Sequence, residues 1–233
     1  MNGNSVRQEG KEIYIHRIFS EIAQDYEAIN HLLSFNLDRL WRRRAITKFY
    51  RSSHKNVLDV CCGTGELTEI LHNKSGPDGN VMGVDFCENM LEIARRRHHG
   101  VNNIQYETGN IQKLRFPGGY FDAVYNCFAL RNLSDMPGAI REMRRVTKPG
   151  GQVVTIDLTM PDSSLAYWYL THAVPFIGRL CYGNEGPYRY LSASIRHFYR
   201  PEELRDLLVR EGFSSVEYVK YLGGVVTALS ATV

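Results

Sequence analysis

Residues Val57 to Thr68, VLDVCCGTGELT, restrict this chain to very few architectures. A β-branched and aliphatic run carries an acid, Asp59, near its end, turns through Gly63-Thr64-Gly65 and opens onto an amphipathic segment. A second apolar run, Val81 to Asp85 (VMGVD), ends on a carboxylate twenty residues after Gly65. The order is strand, glycine turn, helix, strand, acid. Glycines at such a turn let backbone approach a ligand closely, and the second acid is positioned to accept hydrogen bonds from ribose hydroxyls. A nucleoside-bearing ligand is therefore expected.

The alternation continues. Strands are predicted at Val57–Val60, Val81–Asp85, Ile104–Thr108, Phe121–Phe128 and Gln152–Leu158. Helices are predicted at Glu66–Asn73, through Met90, Leu91, Ile93 and Ala94, and at Pro137–Val146, the last stopping at Lys148-Pro149-Gly150-Gly151. Repeated strand–helix alternation implies a mostly parallel sheet with helices on both faces. Ahead of it, residues 1 to about 10 are polar and expected to be mobile. Apolar residues at helical spacing then predict one helix from Lys11 to about Ser34 and another from Asp38 to Tyr50. The tail reads as a helix at Pro201–Glu211, then strands Ser215–Leu222 and Val225–Thr232 joined by a tight Gly223-Gly224 turn. At 233 residues a single domain is expected: a helical lid over about 11–50, and a core over about 55–233 with a substrate-covering insertion near 162–200.

Composition narrows the function classes. A net charge of +3 is too small to argue for nucleic acid, and the basic runs Arg42-Arg43-Arg44 and Arg95-Arg96-Arg97 read as well as solvated helix faces as they do as anion sites. Five cysteines without framework spacing, in a chain lacking a signal peptide, imply reduced thiols inside the cell. No CxxC pair occurs and the eight histidines lack ligand spacing, so no metal is expected. The longest apolar run, Ala166 to Ile177, is too short to span a bilayer, though it suits a greasy cleft or a membrane surface.

The glycine turn alone would also suit a dinucleotide. Three details point elsewhere: Thr68 stands where the third glycine of GxGxxG belongs, Asp59 can organise a turn that receives a cationic amino-acid moiety, and Gly109-Asn110 follows the third strand where an adenine would lie. The combination, with its terminal hairpin, resembles the class I S-adenosylmethionine-dependent methyltransferases, an α/β Rossmann-like fold with a seven-stranded sheet. That resemblance implies that Gly63, Thr64 and Gly65 face the methionine portion, Asp85 holds the ribose, and Asn110 with Ile111 lies by the adenine. Each also has a plain structural explanation, in turn, cap or strand end.

Longer stretches are more specific. Phe19 to Trp41 (FSEIAQDYEAINHLLSFNLDRLW), Phe121 to Asp135 (FDAVYNCFALRNLSD), Arg141 to Gly151 (REMRRVTKPGG) and Tyr188 to Phe198 (YRYLSASIRHF) resemble the signatures of the quinone-biosynthesis C-methyltransferase family. Departures include Glu27 and Asn36 for the family's Asp and Gly, Cys61-Cys62 for Ala-Gly, and Cys127 where a Ser often lies beside the cofactor. The resemblance implies methyl transfer from S-adenosylmethionine to a polyprenylated quinol, demethylmenaquinol or the related benzoquinol. It also implies a cytoplasmic protein and leaves open a peripheral membrane contact and a homodimer. Other readings are a methyltransferase for another lipid or phenol, a nicotinamide-dependent oxidoreductase, and a silent scaffold.

A hydroquinol becomes a good carbon nucleophile when a hydroxyl proton leaves, so a site must remove or stabilise that charge. Arg131 and Asn132, at the exit of the fourth strand where ligands of parallel sheets gather, are the candidates for the polar end of the pocket. Arg131 stays charged and can steady a phenolate, or it can simply pair with a neighbouring carboxylate. Tyr26 and Asn30, one helical turn apart, would face the cleft from the lid. Tyr188, Tyr190 and Arg196 are further candidates for holding substrate.

Overall fold

The computed structural model describes residues 3–177, 186–196 and 198–233. Strands β1 (Asn56–Val60), β2 (Asn80–Asp85), β3 (Ile104–Thr108), β4 (Phe121–Cys127), β5 (Thr147–Leu158), β6 (Ser215–Tyr221) and β7 (Val226–Thr232) form one sheet in the order β3-β2-β1-β4-β5-β7-β6. All pairs are parallel except those made by β7, which runs antiparallel to both β5 and β6. The strand order reverses between β1 and β4, so the carboxyl ends of these strands and of β2 open a crevice there.

Nine helices are described: α1 (Gly3–Ile22), α2 (Tyr26–Leu33), α3 (Leu37–Phe49), α4 (Glu66–Ser75), α5 (Glu88–Arg97), α6 (Met136–Val146), α7 (Ser164–Trp168), α8 (Gly186–Arg196) and α9 (Pro201–Arg210). A π-helical turn, Tyr169–Ala173, continues α7. Alternate strand residues feed two cores. Leu58, Val60 and Val124 pack under α6 and α9, while Val57, Ala123 and Tyr125 pack under α3 and α4. Local chemistry starts these helices where the sequence says. Asp135 caps α6 by accepting from Gly138 N at 2.9 Å, and Pro137 occupies its first turn.

Three expectations change. Of residues 1 to 10, expected to be mobile, those from Gly3 on belong to α1, and the first two lie outside the described residues. The single helix predicted from Lys11 to Ser34 is two helices, broken where Asp25 N closes a turn on Ile22 O at 3.0 Å. The break buries Ala23 against Cys87 and Met90 of the α5 end and brings the Phe19 and Tyr26 rings together at 5.8 Å. Periodicity cannot report such a break, because both segments keep their apolar faces inward. Finally, the Lys148–Gly151 stop lies within β5: Phe121 pairs with Thr147 but Ala123 with Gln152, so the proline–glycine segment bulges out of a strand already begun.

One family departure finds its reason here. Asn36, standing for glycine, has φ 59°, a left-handed backbone that asparagine tolerates better than other side chains.

Candidate active site

Two cavities meet at the crevice. The smaller, about 90 Å³, is bordered by Gly63, Asp85, Asn110, Ile111 and Cys127, with Phe19 and Tyr26 closing it from the lid side. Asp85 ends β2 with its carboxylate held by two backbone donors: Gly63 N gives to Oδ2 and Cys87 N to Oδ1, each at 2.9 Å. Burial raises its pKa, and those two donors oppose the rise. Gly63 itself sits at φ 55° with open space where a Cβ would stand. Asn110 caps its own turn through Oδ1, which accepts from Gln112 N at 2.8 Å, while still bordering the cavity. Phe86, Met90 and Ile111 supply apolar wall. A buried carboxylate for a diol beside apolar surface for a base fits the nucleoside half of S-adenosylmethionine.

The other residues of the turn do not border that cavity. Thr64 is buried, its carbonyl accepting from Arg97 Nη1 at 3.1 Å. Gly65 sits at φ 84°, and an added Cβ would meet Tyr106 Oη at 2.5 Å, so both backbone and packing favour glycine there. Asp59 lies beneath the turn and accepts from Thr68 Oγ1 at 2.6 Å. Its Oδ1 is buried with no partner among the described residues, and burial pushes its pKa up to about 7. Burial likewise raises the Cys127 thiol to about 12, so it lines the cavity as a neutral group.

The larger cleft, about 730 Å³, is mostly apolar and runs between α2, α3, α7 and the β6–β7 turn. Tyr26 and Phe128 border both cavities, so the two spaces share a wall. Tyr26, Asn30 and Arg131 all face the larger one. Burial raises the Tyr26 pKa, opposed by the charges of Arg42 and Arg131 and by Asn30.

Arg131 is not a bare cation. Its Nη1 donates to Asp157 Oδ1 at 2.6 Å and to Phe128 O at 2.7 Å, and Asp157 is wholly buried. The pairing with a carboxylate is therefore real, and it coexists with a place on the cleft wall. Nε remains buried without a partner among the described residues. Asn132 borders the donor cavity rather than the larger cleft; its Oδ1 accepts from Tyr190 Oη at 3.2 Å and its Nδ2 reaches Phe128 O at 3.5 Å. Burial pushes the Tyr190 phenol up to about 12. Arg196 is exposed and borders neither cavity, and the Tyr188 side chain lies outside the described residues.

Sequence reasoning missed two groups. Asp157, an acid inside the buried VVTIDL run, gave a signal that was available but unread. Arg42 belongs to a run that reads equally as a solvated helix face and as an anion site, yet it is buried. It donates to Asp38 at 2.5 Å, pairs with Glu66 at 3.2 Å and lies 5.1 Å over the Phe128 ring. Asp38 and Arg42 stand four apart on α3, which is the helical spacing for such a pair. Arg42→Ala strands two poorly hydrated carboxylates, and a stability loss of ~3 kcal/mol is expected in a denaturant midpoint. Arg42→Lys, which keeps charge without the two-pronged reach, should lose less.

Glu27, His31 and Glu66 converge within 4.8 Å, a grouping the histidine spacing did not suggest. Their carboxylates are already engaged: Arg97 holds Glu27 at 2.6 Å and Arg42 holds Glu66. The trio ties the lid helix α2 to α4 and α5.

A model of the ubiE/COQ5 methyltransferase family matches residues 7–232. The demethylmenaquinone methyltransferase of Geobacillus stearothermophilus is 35% identical over 224 residues, covering 94% of this chain and 96% of its own. Among solved structures, a SAM dependent methyltransferase from Aquifex aeolicus superposes with a TM-score of 0.65 at 20% identity, over 88% of this chain and 97% of that one. The [4+2]-cyclase SpnF follows at 0.63 and 17%, over 84% and 80%. Likeness of fold thus reaches a cyclase as readily as a methyltransferase and by itself assigns no reaction. The family match takes in lid, glycine turn, strand-four exit and hairpin together, and on that ground the chain belongs to the ubiE/COQ5 methyltransferase family, as an S-adenosylmethionine-dependent methyltransferase.

Proposed function

We propose that the enzyme C-methylates a polyprenylated demethylmenaquinol. The observation that carries this reading is the wall shared by the two cavities at Tyr26 and Phe128. A ring lying against that wall would have the donor cavity on one side and a long apolar cleft for its tail on the other. Each buried methylene contributes about 0.8 kcal/mol, so the tail would supply most of the affinity and leave the polar head free for chemistry. The relative from Geobacillus stearothermophilus is named for the same substrate class.

S-adenosylmethionine supplies a methyl group on a positively charged sulfur. Asp85 and the Gly63 backbone would hold its ribose side, with Asn110 and Ile111 at the base. The Arg131–Asp157 pair would offer a guanidinium edge to the quinol oxygen, steadying negative charge as the hydroxyl proton leaves. Tyr26, its phenol kept neutral by burial, and Asn30 would orient that oxygen by hydrogen bonds. Exclusion of water by the apolar walls strengthens each of these contacts. Tyr190 would act through Asn132 rather than on the substrate.

The test is direct. Purified enzyme with methyl-labelled S-adenosylmethionine should add one methyl to a short-chain demethylmenaquinol kept reduced in detergent. Transfer only to the benzoquinol counterpart, or to neither, would overturn the assignment.

A further inference from the structure

Large apolar side chains gather around the mouth of the larger cleft. Phe35, Leu165, Trp168 and Leu222 border it, and each is more than half exposed. Phe176, exposed to a similar degree, extends the row: Leu165, Trp168, His172 and Phe176 recur every three or four residues, and the rings of Trp168 and His172 stack at 5.9 Å. These residues come from three separate places: the α2–α3 turn, the α7 segment and the β6–β7 turn. Two of them sit on strained backbone, Phe35 at φ 53° and Leu222 at φ 48°. That conformation disfavours bulky side chains, and here it holds them toward solvent. A contiguous apolar rim is unlike the scattered exposed residues of an ordinary surface.

Charge lies beside the rim. Arg44 and Lys48, one helical turn apart on α3, are exposed and make no ion pair among the described residues. Arg44 is near enough to Tyr221, the neighbour of Leu222, to act on its phenol. The two acids by the hairpin turn, Asp162 and Glu202, are matched by two cations: Lys220 lies 3.0 Å from the first and 3.3 Å from the second, and Arg200 lies 3.9 Å from Asp162. The mouth therefore presents apolar and cationic groups together, the combination that an anionic lipid surface complements.

We propose that this rim docks the enzyme on an anionic bilayer, with the cleft opening into the acyl layer. A protein seated on the same rim would seal the mouth, whereas a bilayer covers it and also delivers a lipid through it. No helix among the described residues is long and apolar enough to cross a membrane, so the contact is peripheral. The proposal rests on the lipid-substrate reading only for its purpose, and the vesicle-binding measurement that decides it contains neither quinol nor methyl donor.

Full-length protein is mixed with phosphatidylglycerol or phosphatidylcholine vesicles and followed by co-sedimentation and tryptophan emission. Trp41 is buried, so a blue shift on binding reports Trp168. Phosphatidylglycerol vesicles should bind the protein and shift its emission, and raised salt should weaken both. Leu165→Glu and, separately, Phe176→Glu should lower partitioning at least tenfold, and the Arg44→Glu/Lys48→Glu double variant should lower it further in dilute than in concentrated salt. Phe176 does not border the cleft, so Phe176→Glu should leave turnover of a detergent-dispersed short-chain quinol near the parent rate. Absence of vesicle binding, binding equal in all variants, or a dimer that Leu165→Glu dissolves without any vesicle affinity would each overturn the proposal. Vesicle binding without quinol methylation would instead strike the substrate assignment and leave the docking surface standing.

Discussion

Replacing Asp85 by alanine is expected to weaken S-adenosylmethionine binding by ~100-fold or more. Hydrogen bonds to a charged group contribute about 1.5–3 kcal/mol each, and losing two from a ribose diol reaches that factor. The carboxylate also organises the site that it serves. It accepts from Gly63 N and from Cys87 N, so it fixes both the glycine turn and the start of α5. A carboxylate offers about four acceptor positions, more than the backbone donors of Gly63, Phe86 and Cys87 occupy, which is how one side chain can hold the turn and a diol together. Alanine should therefore also cost stability, on the order of 1–3 kcal/mol for donors left unsatisfied. Asp85→Asn retains one acceptor and should fall between alanine and the parent on both measures. Titration calorimetry gives the affinity and a denaturant midpoint gives the stability. An affinity unchanged in a folded alanine variant would remove Asp85 from the cofactor site.

Arg131→Ala should leave cofactor affinity nearly intact and lower kcat on a short-chain demethylmenaquinol by ~100- to 1000-fold, the usual cost of losing one donor aimed at developing negative charge. The buried partner complicates the single variant. Without its guanidinium Asp157 becomes an uncompensated carboxylate in the core, a loss of about 3–5 kcal/mol in comparable buried pairs. Arg131→Ala combined with Asp157→Asn removes that charge and should recover much of the stability while leaving turnover low. If the double variant turned over near the parent rate, Arg131 would be a structural residue only. Calorimetry with S-adenosylmethionine alone keeps a cofactor defect from passing for a catalytic one.

The parts of the fold legible in the sequence are those whose signal is local. Ile104–Thr108 matches its strand residue for residue, and the other core strands and helices shift by only a residue or two apart from the early start of β5. Each is a short run bounded by its own turn chemistry. The lid was less legible. Two half-helices with inward apolar faces look like one, and what separates them is contact with α5, about seventy positions further on. The site was legible in position and illegible in partnership. Tyr26, Asn30, Arg131 and Asn132 were expected at one pocket; the first three border one cleft and Asn132 borders the neighbouring cavity. That Arg131 is spoken for by Asp157, that Thr64 and Gly65 do not border the cavity, and that Arg42 is interior all depend on pairs the periodicity of a single segment does not contain.

Sequence alone therefore determined the sheet, its closing hairpin and the family, because these rest on period-two and helical patterns and on motifs read within a few residues. Tertiary structure decided which charges are neutralised and which apolar side chains are left at a mouth. Those outcomes turn on burial, and burial is set by neighbours brought from elsewhere in the chain: Arg131 meets Asp157 twenty-six positions away, and Phe35 meets the ring of Tyr169 from the far side of the cleft.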